Sequence, residues 1–195
     1  MIATLVEKYK AAMGSSGATL QICGNSSFTK ALERQCKNFG INYAKVEDTD
    51  PGYPIVVDRE TNPGAHAGYD VDTVEYPACA EAISSVCEAL SVEGKVVCLI
   101  GRGKAVAGLR TALERQGATV IQCHSKTETF DVLRLVEVSD FVINAAPFGM
   151  LTPNEGHQYI FIDITGLYEN ADITARDIGK LTTAILCYRV SHYEV

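Results

Sequence analysis

No apolar run in this chain of 195 residues approaches the roughly 20 residues that a membrane-spanning helix requires. The amino terminus does not read as a secretion signal either. Met1 to Met13 carries Glu7, Lys8 and Lys10 inside an amphipathic pattern, which predicts a helix. There is no basic surplus: the formal charge is −7, which argues against a nucleic-acid partner because phosphate binding needs a basic face. No block of like charge marks a tail. No Cys-x-x-Cys pair occurs, and the four histidines (His66, His124, His157, His192) are dispersed without a His-x-x-x-His pair. No metal site is therefore expected. A Gly-x-Ser-x-Gly nucleophile elbow is absent as well, as are internal repeats and low-complexity segments.

What is present is an ordinary globular composition, 47% apolar and 21% charged, long enough for one large domain or two small lobes. The seven cysteines (Cys23, Cys36, Cys79, Cys87, Cys98, Cys123, Cys187) are odd in number, and several sit inside apolar runs. They read as buried thiols in a reducing, cytoplasmic compartment.

The spacing predicts a helix over Ile2 to Ala12, a strand over Ala18 to Cys23, and a helix capped by Asn25-Ser26-Ser27 that runs to about Asn38 and stops at Gly40. Ile41 to Val46 and Tyr53 to Val57 are further strand candidates, Thr61 to Gly68 is a loop, and Ala78 to Leu90 has helical spacing. From Val96 onward strands and helices alternate: Val96–Ile100, Lys104–Gln116, Thr119–Cys123, Thr129–Val138, Phe141–Ala145 and Tyr159–Ile164. A helix over about Ile178 to Tyr188 closes the chain. Such alternation implies an α/β fold with a parallel sheet. A boundary near Tyr76-Pro77 would divide an N-terminal αβ lobe, residues 1–76, from a Rossmann-type lobe, residues 77–176.

The densest signal is Val96 to Gly108 followed by Ala118 to Thr127. An apolar strand ends at a glycine turn, Gly101-Arg102-Gly103, and a helix is expected to open there, offering free N–H groups to a pyrophosphate. Val106-Ala107 occupies the place where a third small residue lets helix and strand approach. The spacing is not a strict Gly-x-Gly-x-x-Gly, and glycine is common in any α/β turn. The end of the second strand points to the cofactor. A site for NAD places a carboxylate there, against the ribose hydroxyls, but none lies between Val120 and Thr127. His124, Ser125 and Lys126 stand there instead, with Arg102 in the turn. Arginine and serine can donate to a 2′-phosphate that a carboxylate would repel, so NADP is the expected cofactor. His124 is either a surface histidine at a strand end or a ligand contact.

These residues resemble the methylenetetrahydrofolate dehydrogenase/methenyltetrahydrofolate cyclohydrolase family. Its Gly-Arg-Ser-x-x-Val-Gly is set beside Gly101 to Ala107, which has Gly103 for the serine and Ala107 for the last glycine, and its Ala-Thr-Val-x-x-Cys-His-Ser-Lys-Thr is matched by Ala118 to Thr127. Thinner likenesses are Asp70-Val71-Asp72 to Asp-Val-Asp-Gly, Tyr159 to Ile164 to the strand ending in Ile-Asp-Val-Gly, and Ile178 to Leu186 to the closing helix. The chain looks like a shortened and divergent member. The resemblance implies that Arg102 and Ser125 hold the 2′-phosphate, that Gly101, Gly103 and Val106 line the turn, and that Asn144, Ala145 and Ala146 border the nicotinamide. It further implies that Asp72 contacts a pterin, that the C-terminal helix (177–195) returns to the first lobe, that a folate is the small-molecule substrate, and that the protein forms a homodimer.

The departures fall in the first lobe. Aligned on Cys36, Phe28 stands where the family has a catalytic tyrosine and Leu32 where it has the lysine. Neither transfers a proton, so cyclohydrolase chemistry is not expected. Phe28, Leu32 and Cys36 read either as a core stripe or as the lining of a more apolar cleft. Asp72 is a turn former or the pterin contact. The family's Gln-Leu-Pro-Leu-Pro loop appears as Asp58 to Pro63. Three functions stay open: an NADP-dependent oxidoreductase of this family, a non-catalytic NADP(H)-binding relative, and a shikimate-dehydrogenase-like enzyme. The last is suggested by Asn144-Ala145-Ala146-Pro147-Phe148-Gly149-Met150, which resembles Asn-Ala-Thr-Pro-x-Gly-Met.

Overall fold

The computed structural model describes residues 1–58, 71–73, 75–149, 151 and 156–194. The loop Thr61–Gly68, the segment Arg59–Pro63, Asp70, His66 and Met150 lie outside the described residues. The chain divides into two compact units, Met1–Val74 with Gly179–Val195, and Glu75–Ile178.

In the first unit, helix α1 (Ile2–Ala11) leads to strand β1 (Thr19–Cys23), helix α2 (Ser27–Phe39) and strands β2 (Asn42–Lys45) and β3 (Ile55–Val57). The three strands form a parallel sheet in the order β2-β1-β3, with Leu20 opposite Tyr43 and Ile22 opposite Val56. Helix α2 starts where a cap is available: the Ser26 hydroxyl accepts the Thr29 N–H at 3.2 Å, satisfying one orphan donor of the first turn. The central strand supplies Leu20 and Ile22 to the core and α2 supplies Leu32 and Cys36, all wholly buried. Each such leucine or isoleucine contributes about 1.5–3 kcal/mol of hydrophobic stabilisation. The last helix, α6 (Ala175–Ser191), is buried on all faces over Leu181–Cys187. Its Tyr188 packs edge-on to Tyr9 at 5.5 Å, and its Cys187 Sγ lies 3.7 Å from that of Cys36.

The second unit runs α3 (Ala78–Ala89), β4 (Val96–Ile100), α4 (Leu109–Arg115), β5 (Thr119–Cys123), α5 (Thr129–Glu137), β6 (Phe141–Asn144) and β7 (Ile160–Asp163). The four strands are parallel in the order β5-β4-β6-β7. Val96-Val97-Cys98-Leu99-Ile100 is apolar without alternation because a central parallel strand is covered on both faces. The connection β4–α4–β5 runs one way along the sheet and β5–α5–β6 runs back, so right-handed crossovers put α4 and α5 on opposite faces. On the α5 face, Val132 and Val136 pack with Cys98, Ile100, Cys123, Val142 and Phe161.

One element differs from the sequence reading. The expected helix Lys104–Gln116 is a single 3₁₀ turn, Lys104–Val106, followed by a break and then α4. Gly108 makes the break. Its φ is +73°, and a Cβ there would sit 2.5 Å from the Glu75 carbonyl oxygen. Gly108 thereby packs closely on the segment that precedes α3. The helix that would present its amino end begins at Leu109, well past the glycine turn.

Candidate functional site at the carboxyl end of the second sheet

Strand β4 connects towards β5 on one side, while β6 connects towards β7 on the other. The chain thus diverges between β4 and β6, which opens a crevice at their carboxyl ends, where ligands bind in open α/β sheets. Gly101 closes β4 at the lip of this crevice with a φ of +109°. A Cβ there would meet the Ala145 carbonyl carbon at 3.0 Å and the Ala146 Cβ at 3.3 Å. The turn is held from both sides. Gly101 N–H donates to the Cys123 carbonyl at 2.9 Å, the Gln122 side-chain amide donates to the Gly101 carbonyl at 3.0 Å, and Ala145 N–H donates to the Ile100 carbonyl at 2.8 Å.

Beyond the turn, Arg102, Gly103 and Lys104 are exposed, and Val106 is buried beneath them in the 3₁₀ turn. Ile100 pairs with Cys123, so Arg102 and Ser125 each stand two residues past that last paired position on neighbouring strands. Ser125 and Lys126 are exposed too. His124 is half-buried and shapes the second turn: its N–H donates to the Thr127 hydroxyl at 3.0 Å, and its Nδ1 accepts the Lys126 N–H at 3.1 Å. An Nδ1 that accepts carries no proton, so Nε2 is left as the donor that can face a ligand. The thiols below this edge are not nucleophiles. Burial pushes the Cys98 thiol up to about 12 and raises that of Cys123, which keeps both protonated at neutral pH.

On the β6 side, Ala145 and Ala146 are half-buried and Asn144 is wholly buried. The Asn144 Nδ2 donates to Asp163 Oδ1 at 3.1 Å, which fixes the amide orientation. Its Oδ1 is buried without a hydrogen-bond partner among the described residues. A buried acceptor left unpaired costs about 1–3 kcal/mol unless a ligand or water supplies a donor. Asp163 was not singled out as a site residue by the sequence reading, although an apolar strand ending Asp-x-Thr-Gly carries an Asx-turn signal. It is wholly buried, and it also accepts from the Thr165 N–H at 3.1 Å, the Thr165 hydroxyl at 2.6 Å and the Tyr168 N–H at 3.1 Å.

The first unit brings no proton-transfer pair together at the corresponding helix. Leu32 is wholly buried and Phe28 is half-buried on α2. Asp72 is tied to Arg189 of α6 by a 2.9 Å ion pair, with side chains 12% and 15% exposed. Asp58, where the family's glutamine would fall, is buried, and its Oδ2 accepts the Ser26 N–H at 2.9 Å. Among the described residues no cluster of three or more His, Cys, Asp or Glu could hold a metal ion, and no helix is long and apolar enough to cross a membrane.

No protein-family model and no curated protein matches the chain. Solved structures do. A methylenetetrahydrofolate dehydrogenase from the silkworm Bombyx mori superposes with a TM-score of 0.67 at 16% identity, covering 98% of this chain and 94% of the other. The Trypanosoma brucei methylenetetrahydrofolate dehydrogenase-cyclohydrolase, solved with NADP and an inhibitor, gives 0.65 at 16% identity over 97% and 93%. The fold is theirs. It is shared more distantly by the Aquifex aeolicus shikimate dehydrogenase, with a TM-score of 0.58 at 14% identity over 91% and 94%.

Proposed function

We propose that this chain binds NADP(H) at the crevice between β4 and β6 and acts as an NADP-dependent oxidoreductase on a small molecule of the folate type. One observation carries the reading. Arg102 and Ser125 each stand two residues past the last paired residues of the neighbouring strands β4 and β5, Lys126 follows Ser125, and no carboxylate lies from Val120 to Thr127. A guanidinium and a hydroxyl suit a phosphomonoester dianion, whereas a ribose diol calls for a carboxylate.

Two further features fit a dinucleotide. Gly101 lets the end of β4 pack directly on Ala145 and Ala146, which a Cβ would prevent, and the Asn144 Oδ1 has no donor among the described residues. In this reading Arg102 and Ser125 hold the 2′-phosphate, and His124 offers its Nε2–H. Gly101, Gly103 and Val106 shape the turn under the pyrophosphate. Since α4 starts only at Leu109, turn N–H groups and not a helix end serve the phosphates. Asn144, Ala145 and Ala146 border the nicotinamide ring. The bound cofactor supplies hydride chemistry, and the protein's share is orientation and exclusion of water.

The second lobe (77–176) is then the cofactor lobe, and residues 1–76 with 177–195 form the substrate lobe. Asp72, held by Arg189, is the remaining candidate for contact with a pterin. The protein works in the cytoplasm, where its thiols stay reduced, as a homodimer.

The test is titration with NADPH and NADH followed by nicotinamide fluorescence, then methylenetetrahydrofolate with NADP followed by absorbance. Selective NADPH binding with turnover is expected. Retention of neither nucleotide overturns the reading. A second reading, an NADP(H)-binding protein without turnover, is favoured by the complete burial of Leu32 where a catalytic lysine would stand. Tight NADPH binding without turnover on methylenetetrahydrofolate selects it, and oxidation of shikimate would select the shikimate-dehydrogenase type instead.

A further inference from the structure

We propose that Tyr168 is a positioning residue for the nicotinamide half of the bound nucleotide, its hydroxyl pinning the backbone of the loop that follows β6. This rests on the nucleotide reading above.

The loop begins as a wall of the crevice, because Gly101 packs directly on Ala145 and Ala146. Past the ladder, the loop's Phe148 N–H donates to the Ala146 carbonyl at 2.6 Å, and the Phe148 carbonyl and the Leu151 N–H are met by a side chain. Tyr168 lies on the connection from β7 to α6, a different segment of the same unit. Its hydroxyl accepts the Leu151 N–H at 3.1 Å and donates to the Phe148 carbonyl. One oxygen thus fixes a donor and an acceptor of the loop.

The phenol is itself held. Its backbone N–H donates to Asp163 Oδ2, and its ring meets Phe161 edge-on at 5.3 Å. Burial raises its pKa above the usual value, so it remains a donor at neutral pH. Asp163 also holds the Asn144 amide, so a continuous set of hydrogen bonds joins the end of β6, the end of β7 and the loop. In the order β5-β4-β6-β7, these groups sit on the β6–β7 side, across β4 from Ser125. Loss of the hydroxyl should therefore disturb the pyridine end of the nucleotide and spare the adenosine end.

Tyr168→Phe removes the oxygen and keeps the ring. Amide exchange at Leu151 should quicken in the ligand-free variant. The dissociation constant for NADPH should rise about tenfold, the loss of one or two hydrogen bonds, while that for adenosine 2′,5′-bisphosphate stays unchanged. Equal weakening of both ligands, or no change in either, overturns the assignment. The wild type gives an arm that does not depend on the variant's folding: NADPH should slow exchange in the peptide 145–151 more than the bisphosphate does. Equal protection by the two ligands counts against Tyr168. Failure of the wild type to bind either ligand overturns the nucleotide reading and this assignment with it, whereas bisphosphate binding without discrimination at the loop removes this assignment alone.

Discussion

The two parallel sheets of this chain end differently at their carboxyl edges. Past β4 and β5, the turn residues Arg102, Ser125 and Lys126 stay exposed, and the polar backbone of the turn is fixed by neighbouring strands. Past β1, the comparable positions are filled from within. Asp58 accepts the Ser26 N–H at 2.9 Å, Ser26 accepts the Thr29 N–H at 3.2 Å, and Leu32 fills the core one turn further on. A helix start already occupied by a carboxylate of its own chain is not a ready anion site, and in this the first unit differs from the exposed Arg102 and Ser125 past β4 and β5. The contrast teaches that a shared architecture does not carry a shared edge: the second unit leaves polar turn residues exposed, and the first ties its equivalent residues into its own hydrogen bonds and core.

The sharpest way to break this contrast is Leu32→Lys. If the helix face is core, the variant loses roughly 3–5 kcal/mol, as for an uncompensated buried charge, and thermal melting should show it. A stable variant that gains cyclohydrolase activity would mean that position 32 reaches a working cleft. Next is Gly101→Val, which places a side chain against Ala145 in a left-handed conformation. NADPH binding should fall more than about 100-fold, with about 1–3 kcal/mol of backbone strain, read by fluorescence titration and denaturant melts. Arg102→Ala should weaken NADPH by about 10–100-fold, the worth of a hydrogen bond to a charged group, and leave the weaker NADH titration unchanged. Equal losses for both nucleotides would remove the 2′-phosphate from the site.

Asp72→Asn breaks the partly buried pair with Arg189 and should cost about 1–2 kcal/mol in urea unfolding. The last effect is confined to alkaline pH. Burial raises the Cys87 and Cys98 thiols to about 12 from an unfolded value of 9.0. Between those values the unfolded chain binds fewer protons than the folded one, so stability is intact below about pH 9 and declines as pH rises towards 12. Urea midpoints measured across that range check the sign.

Strands β4 and β5 and the capped start of α2 were legible because their causes are local. An unbroken apolar run needs burial on both faces, and Ser26 three residues before Thr29 offers its own cap. The exposed Arg102 and Ser125 were legible for the same reason: charge type and position past a strand end are written in order along the chain. The close contact of Gly108 with the Glu75 carbonyl was not, because the two are more than thirty residues apart in the chain. Nor was the pair Asp72–Arg189, separated by 117 positions.

By itself, then, the amino-acid order determined an α/β chain with alternating elements and a basic, hydroxyl-bearing edge, since those depend on periodicity and neighbours. Only the tertiary structure decided that Leu32 is core, that α4 starts late, and that Asn144, Asp163 and Tyr168 share one set of hydrogen bonds. Each of those facts is a contact between segments distant in the chain, and burial and pairing are properties of the space around a residue, not of its place in the sequence.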